Sequence, residues 1–306
     1  MSKHIAITGA SGFVGQHLVP YLMKAGFWVY PVNLRMRDKF PLPELVHGAT
    51  VIHLAGKAHD HKGTAKPEEY FEVNTELTKT VFNHFLQSKA TLFIHFSTVA
   101  AITDEHVEGI LKEDAAPHPV TPYGQSKLQA EQYLLQQELP TGKKVFILRP
   151  AMIHGPGDKG NLTLLYSIVS KGMPYPLAAF KNQRSFLSIG NLNYAIEKLL
   201  EKAAEVPSGI YNLVDDIPVS SVDLVRMIAE LTGRKEKIWS VPRSLIQAIA
   251  KVGDILPLPI NSKRLAKLTS NYIVSNDKIK KALGISAFPI TAREGLIKTI
   301  KSFASE

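Results

Sequence analysis

Tyr123 and Lys127 stand four residues apart in Pro122-Tyr123-Gly124-Gln125-Ser126-Lys127. On a helix that spacing puts a phenol and an ammonium on one face, one turn apart. A phenol that passes protons near neutral pH needs its ordinary pKa of about 10 lowered, and a neighbouring cation does that. Ser97-Thr98 closes the apolar run 91–96, and a hydroxyl at such a strand end can hold a substrate oxygen while the phenol moves its proton. Far upstream, Gly9-Ala10-Ser11-Gly12-Phe13-Val14-Gly15 follows the β-branched run His4-Ile5-Ala6-Ile7-Thr8. Strand, glycine turn and helix start are what a dinucleotide pyrophosphate requires. Gly9 permits the sharp turn, Gly12 lets the backbone approach the phosphates, and Gly15 lets the helix pack close to the strand. A tyrosine and a lysine one turn apart are commonplace. A nucleotide turn upstream and a hydroxyl pair between give them a chemical reading.

The elements that position these groups alternate along the chain. A helix over 13–25 places Leu18, Leu22 and Ala25 on one face and closes at Gly26. Strands follow at 27–32 and 49–54, the second ending at Ala55-Gly56. A long helix over 67–88 carries Tyr70, Val73, Leu77, Val81 and Phe85 as an apolar stripe. A strand at 91–96, a helix at 122–139 and a strand at 145–148, ending at Arg149-Pro150, complete the series. Such alternation predicts an α/β fold with a doubly wound, mostly parallel sheet. Gly9, Asn33, Ala55, Thr98 and Arg149-Pro150 all follow strand ends, so they should line one crevice. After His154-Gly155-Pro156-Gly157 short helices and proline turns dominate. The expected division is a dinucleotide-binding domain over 1–157, with 184–214 rejoining its sheet, and a smaller C-terminal substrate-binding domain over 158–306.

The 306 residues contain no cysteine, which excludes disulfides, thiolate zinc sites and a cysteine nucleophile. No run approaches the ~20 apolar residues of a membrane span, and the chain enters its first strand without a signal-peptide pattern. A cytoplasmic protein with no metal site is expected. The formal net charge of +9 is concentrated in 231–306, where 14 Lys and Arg face 5 Asp and Glu. That surplus suits a phosphate-bearing ligand, an anionic membrane surface or nucleic acid. The aromatic interleaving of a single-strand-binding platform is absent, so nucleic acid is not an expected partner.

Taken together, the motifs resemble the extended short-chain dehydrogenase/reductase superfamily in its NAD-dependent epimerase/dehydratase branch. The turn GASGFVG, the strand VIHLAG (51–56), the segment FEVN (71–74), FST (96–98), YGQSK (123–127) and LRPAMIHGPG (148–157) stand in the family's order. The resemblance implies an NAD(P)-binding Rossmann fold and hydride transfer at a sugar carbon, C4, of a nucleoside-diphosphate sugar such as a UDP-sugar. It implies Tyr123 as general acid/base, Lys127 as its partner, and Thr98 or Ser97 as the catalytic hydroxyl. Cofactor contacts are implied at Gly9, Ser11, Gly12, Phe13, Val14, Gly15, Asn33, Arg35, Leu54, Ala55, Gly56, Tyr123, Lys127 and Pro150. Substrate contacts are implied at Thr98, Tyr123, Asn161 and Arg184, with Lys263, Arg264 and Lys267 as further cations for the diphosphate. A homodimer through the 67–88 and 122–139 helices is also implied.

The chain departs from the family's pattern in three places. Asn33 stands where NAD-preferring members place a ribose-binding acid, with Arg35 and Arg37 just after. That tilts the choice between NAD and NADP towards NADP. The segment before Val51 is too short for the usual intervening strand and its adenine-binding acid, though Asp38 could reach adenosine if the loop folds back. Thr103-Asp104-Glu105 has the composition of a dehydratase triplet but lies beyond the strand end that Ser97-Thr98 occupies, which argues against dehydration. Two alternatives stand beside the nucleotide-sugar epimerase or reductase. One is an NAD(P)H-dependent reductase of a small ketone or aldehyde, the other a non-catalytic dinucleotide-binding subunit or sensor.

Overall fold

The computed structural model describes residues 3–34, 48–58, 65–256 and 261–304. Six parallel strands form the central sheet, in the spatial order Trp28–Val32, His4–Thr8, Thr50–His53, Leu92–Phe96, Lys144–Pro150 and Gly209–Leu213. Thr50–His53 and Leu92–Phe96 are buried throughout, as expected of strands covered on both faces. On one face Leu18 and Leu22 of the helix Phe13–Lys24, with Leu192 and Ile196 of Ile189–Glu201, pack on Ile5, Ile7, Ile94 and Leu148. On the other, Val81, Phe82, Phe85 and Leu134 pack on Val51, Phe93, Val145 and Ile147.

The helical segment 67–87 contains a wide, π-type turn over Glu72–Glu76. Such turns recur at functional sites because they redirect a side chain out of the regular helical ladder. Here the turn carries Asn74, which is buried.

The stretch 184–214 divides. Gly209–Leu213 joins the central sheet beside Lys144–Pro150. Phe186–Ser188 does not: it pairs with Met152–His154 in a separate two-stranded sheet. The chemistry explains the division. Ala151 N donates to Leu213 O at 3.2 Å, which closes the central sheet. Phe186 instead faces a second core with Leu162, Leu224, Leu296 and Ile300. The Ser188 amide donates to the buried Asp215 carboxylate at 3.1 and 3.0 Å. Helix Ala292–Phe303 supplies much of that core and is stapled to the emerging strand, where His154 Nδ1 lies 2.9 Å from Thr299 Oγ1. Arg35, Arg37, Asp38 and any strand between Leu34 and Gly48 lie outside the described residues.

Candidate active site

The glycine turn builds a cradle that a side chain would fill. Gly9 has φ +71°, and a Cβ there would sit 2.6 Å from Ala55 N. At Gly15 a Cβ would sit 2.5 Å from Ala10 Cα. The first strand and the helix Phe13–Lys24 therefore approach as closely as backbones can, and Gly12 stands in the helix's N-cap position. That leaves early amide donors and the positive end of the helix dipole at the strand edge, a fitting seat for a pyrophosphate. Leu54, Ala55 and Gly56 continue from the neighbouring strand: Leu54 N bonds Thr8 O at 3.2 Å, and Ala55 N bonds Thr8 Oγ1 at 3.3 Å. Asn33 is exposed just past the edge strand.

Tyr123 and Lys127 lie in the first turns of Pro122–Gln136. The helix start is fixed by Asp104, whose carboxylate accepts from Val120 N at 3.3 Å, Thr121 N at 3.1 Å and Thr121 Oγ1 at 2.5 Å. Thr121 in turn caps Gly124 N at 3.2 Å. The acid of Thr103-Asp104-Glu105 thus orients the tyrosine-bearing helix. A carboxylate beside a helix N-terminus is favoured by the dipole, but no spacing rule in the sequence joins residue 104 to residue 121.

The two candidate hydroxyls point to different partners. Thr98 lies close enough to the Tyr123 phenol to oppose the rise in its pKa, and its Oγ1 accepts from Ala100 N at 3.2 Å. Ser97 donates to Glu131, which also accepts Arg149 Nε at 2.9 Å and Nη2 at 2.6 Å in a buried bidentate pair. Arg149, expected to line the crevice, is therefore turned into the protein, while Pro150 ends its strand beside it.

Lys127 is buried, and its ammonium donates to Phe96 O at 2.8 Å. A Cβ on Gly56 would lie 3.0 Å from Lys127 Nζ and 3.1 Å from Asn74 Oδ1, so these three residues form one cluster. Asn74 accepts from Lys57 N at 2.7 Å and donates to Lys57 O at 2.9 Å and Ser126 Oγ at 3.0 Å. This network ties the wide turn to the tyrosine-bearing helix.

Burial pushes the Tyr123 phenol above 10, with Tyr70 adding to the rise and Thr98 opposing it. Burial also holds Lys127 down to about 8, against the pull of the Glu131 carboxylate. The simple expectation that Lys127 lowers the tyrosine is not met: burial sets the direction, and the opposing group is Thr98. Behind Lys127, His53 and His95 stack at 5.7 Å. Burial, then Lys127, lowers His53 to about 3 and His95 well below its usual value, so both imidazoles are neutral.

The Lys127 shift has a testable sign. Between about pH 8 and 10.5 the unfolded lysine keeps a proton that the folded one has lost. Stability therefore rises with pH across that window, and the cost of the buried ammonium is fully present below it. Lys127→Met should lack this rise. The wild-type-minus-variant unfolding free energy should climb by on the order of 3 kcal/mol from pH 8 to 10.5, as measured by urea titration.

The expected substrate residues sit on the C-terminal side. Asn161 is the first residue of the helix Asn161–Ser170, after Gly160 in the cap position. Arg184 pairs through its backbone with Val219 and Tyr272, and burial lowers its guanidinium pKa. The Tyr272 hydroxyl donates to Thr103 O, next to Asp104. Arg184 is thereby linked to the start of the Tyr123 helix. Among the described residues no group of His, Asp or Glu is arranged to hold a metal, and no helix is long and apolar enough to cross a membrane.

Comparison with known proteins agrees with this geometry. The chain is 30% identical to UDP-glucose 4-epimerase of Vibrio cholerae over 326 aligned residues, covering 99% of this chain and 96% of that protein. It is 27% identical to N-acetyl-alpha-D-glucosaminyl-diphospho-ditrans,octacis-undecaprenol 4-epimerase of Escherichia coli O157:H7, covering 98% and 95%. The fold superposes on RMD from Pseudomonas aeruginosa, solved with NADPH, with a TM-score of 0.74 at 20% identity over 99% of each chain. The cradle and the Tyr123–Lys127 helix suit a nicotinamide dinucleotide, NAD or NADP. With residues 5–213 matching the model of the NAD dependent epimerase/dehydratase family, the chain belongs to that family, in the extended short-chain dehydrogenase/reductase superfamily.

Proposed function

We propose that the protein interconverts an alcohol and a ketone at C4 of a nucleoside-diphosphate sugar, a UDP-sugar, as an epimerase or a reductase. The observation that carries this is Tyr123 one turn from the buried Lys127 on the helix Pro122–Gln136, with Lys127 against Gly56 beside the glycine cradle and Thr98 near the phenol. The nicotinamide, when bound, supplies hydride transfer to and from the sugar carbon. Gly9, Gly12, Gly15 and the 54–56 turn would hold its diphosphate and adenosine side, and Lys127 its ribose. Thr98 holds the reacting oxygen, and Tyr123 takes or returns the hydroxyl proton. The buried pocket keeps the phenol protonated, which suits a group that donates to a developing alkoxide. Asn161 and Arg184 would meet the nucleotide diphosphate, for which a guanidinium is suited to bidentate contact. A homodimer through the helical segment 67–87 and Pro122–Gln136 belongs to the same reading.

The Escherichia coli relative's name specifies a sugar on a diphospho-lipid, and an arginine at 184 serves that diphosphate equally well. The test is to purify the protein, identify retained dinucleotide by mass spectrometry, and assay UDP-sugars, polyprenyl-diphosphate sugars and 4-keto sugars with NADH or NADPH. Tightly held NAD with interconversion of 4-epimers supports the epimerase form. Oxidation of added NADPH by a 4-keto sugar supports the reductase form. Dinucleotide binding without turnover of any of them overturns the proposal in favour of a sensor or subunit.

A further inference from the structure

The helix Arg243–Ile255 has two apolar faces, and one of them is packed into the protein. Ile246, Ala250 and Gly253 are buried, the first two in a small core with Leu177 and Leu265. Leu245, Ile249, Val252 and Leu256, at i, i+4, i+7 and i+11, form a second stripe about 100° away, and Ile255 extends it. These five side chains are between 42% and 86% exposed. Leu268 of the next helix, Ser262–Thr269, is exposed as well. The two helices are fastened together: Asp254 accepts from Ser262 N at 2.9 Å and Ser262 Oγ at 2.6 Å.

Charge decides what such a face can meet. Between residues 234 and 269 the sequence carries eight Lys and Arg against two acids. The two acids reduce that surplus to six. Asp254 serves the staple to Ser262, and Glu236 lies 3.9 Å from Arg226 Nε. Lys251, exposed, stands one turn before Ile255 at the stripe's edge. The helix Ser262–Thr269 contributes Lys263, Arg264 and Lys267 to the sequence and no acid. An apolar stripe edged by Lys251, in a segment of net positive charge, disfavours a second copy of itself. It suits an anionic lipid surface, where cations meet headgroups and a shallow apolar face enters the acyl boundary.

We propose that Arg243–Ile255, stapled to Ser262–Thr269, is an interfacial anchor that lays Leu245, Ile249, Val252, Ile255 and Leu256 on an anionic bilayer. The anchor lies beside the substrate side of the protein. Leu268 O accepts from Asn182 Nδ2 at 3.0 Å, two residues before Arg184. Ser270 and Asn271 then lead to Tyr272, whose backbone pairs with Arg184.

The experiment is flotation of the full chain with phosphatidylcholine vesicles, with and without ~30 mol% phosphatidylglycerol, at about 0.1 M and about 0.5 M salt. Wild type should float with the anionic vesicles at the lower salt and bind about tenfold or more weakly without anionic lipid. Ile249→Asp with Val252→Asp should weaken binding at least about tenfold. Both residues are exposed and outside the catalytic site, so turnover and thermal unfolding should stay at wild-type values. Lys251→Glu should weaken binding several-fold by charge alone. Absence of vesicle binding overturns the proposal, as does binding that the 249/252 variant leaves unchanged. Concentration-dependent self-association abolished by that variant, without vesicle binding, overturns it in favour of a second copy as the occupant.

Discussion

Tyr123→Phe should lower turnover by about 10²- to 10⁴-fold while dinucleotide affinity stays within about threefold of wild type. Among the described residues, the phenol is the proton carrier found near Thr98. The neighbouring imidazoles are neutral and buried, and His53 is already committed to Thr8 Oγ1 at 2.7 Å and Thr78 Oγ1 at 3.0 Å. Lys127 faces Phe96 O. The variant keeps the ring and its edge-to-face packing at 6.4 Å from Tyr70, so the pocket should hold its shape. Single-turnover hydride transfer and a fluorescence titration with the dinucleotide separate the two effects. Thr98→Val should also lower turnover. Ser97→Ala should act mainly on stability, because its hydroxyl serves Glu131. Unimpaired turnover by Tyr123→Phe would sink the assignment of the phenol.

Arg149→Met should destabilise the fold by about 3–5 kcal/mol, the range for removing one partner of a buried ion pair. Arg149 and Glu131 are 4% and 1% exposed, so the substitution leaves a desolvated carboxylate whose remaining hydrogen-bond donor among the described residues is the Ser97 hydroxyl. The loss comes from the orphaned charge more than from the vanished attraction. Arg149→Met combined with Glu131→Gln should therefore recover much of the stability, since a neutral amide costs less to bury. Urea unfolding of the two variants checks the ordering, and equal losses would contradict it. The double variant should still lack the pull that Glu131 exerts on Lys127.

The sheet and the helix that carries Tyr123 and Lys127 were readable because their signals are local. Alternating apolar runs and helical stripes gave each element, and a spacing of four put Tyr123 and Lys127 on one face. The groups that hold this machinery were not readable, because their contacts join distant positions. Asp104 meets Thr121 across 17 residues and Arg149 meets Glu131 across 18. The dehydratase-like look of Thr103-Asp104-Glu105 hid a capping role. Ser97 and Thr98 were equivalent in the sequence, since both follow the same strand. Only the helix packed on that strand shows which one faces Glu131. Phe186–Ser188 has an apolar pattern that suits either sheet, and its place was decided by Asp215 and by a helix more than 100 residues further on.

That last helix bears on how the molecule is made. A ribosome that has delivered residue 213 has delivered the six described strands of the central sheet. The second core still lacks Leu296, Ile300 and Phe303, and His154 waits for Thr299 across 145 residues. The nascent chain thus passes through a stage with a complete nucleotide-binding sheet and an open flank at Phe186 and Leu224. During that interval the sheet stands without the C-terminal helix that completes the second core, and the exposed apolar flank is open to aggregation.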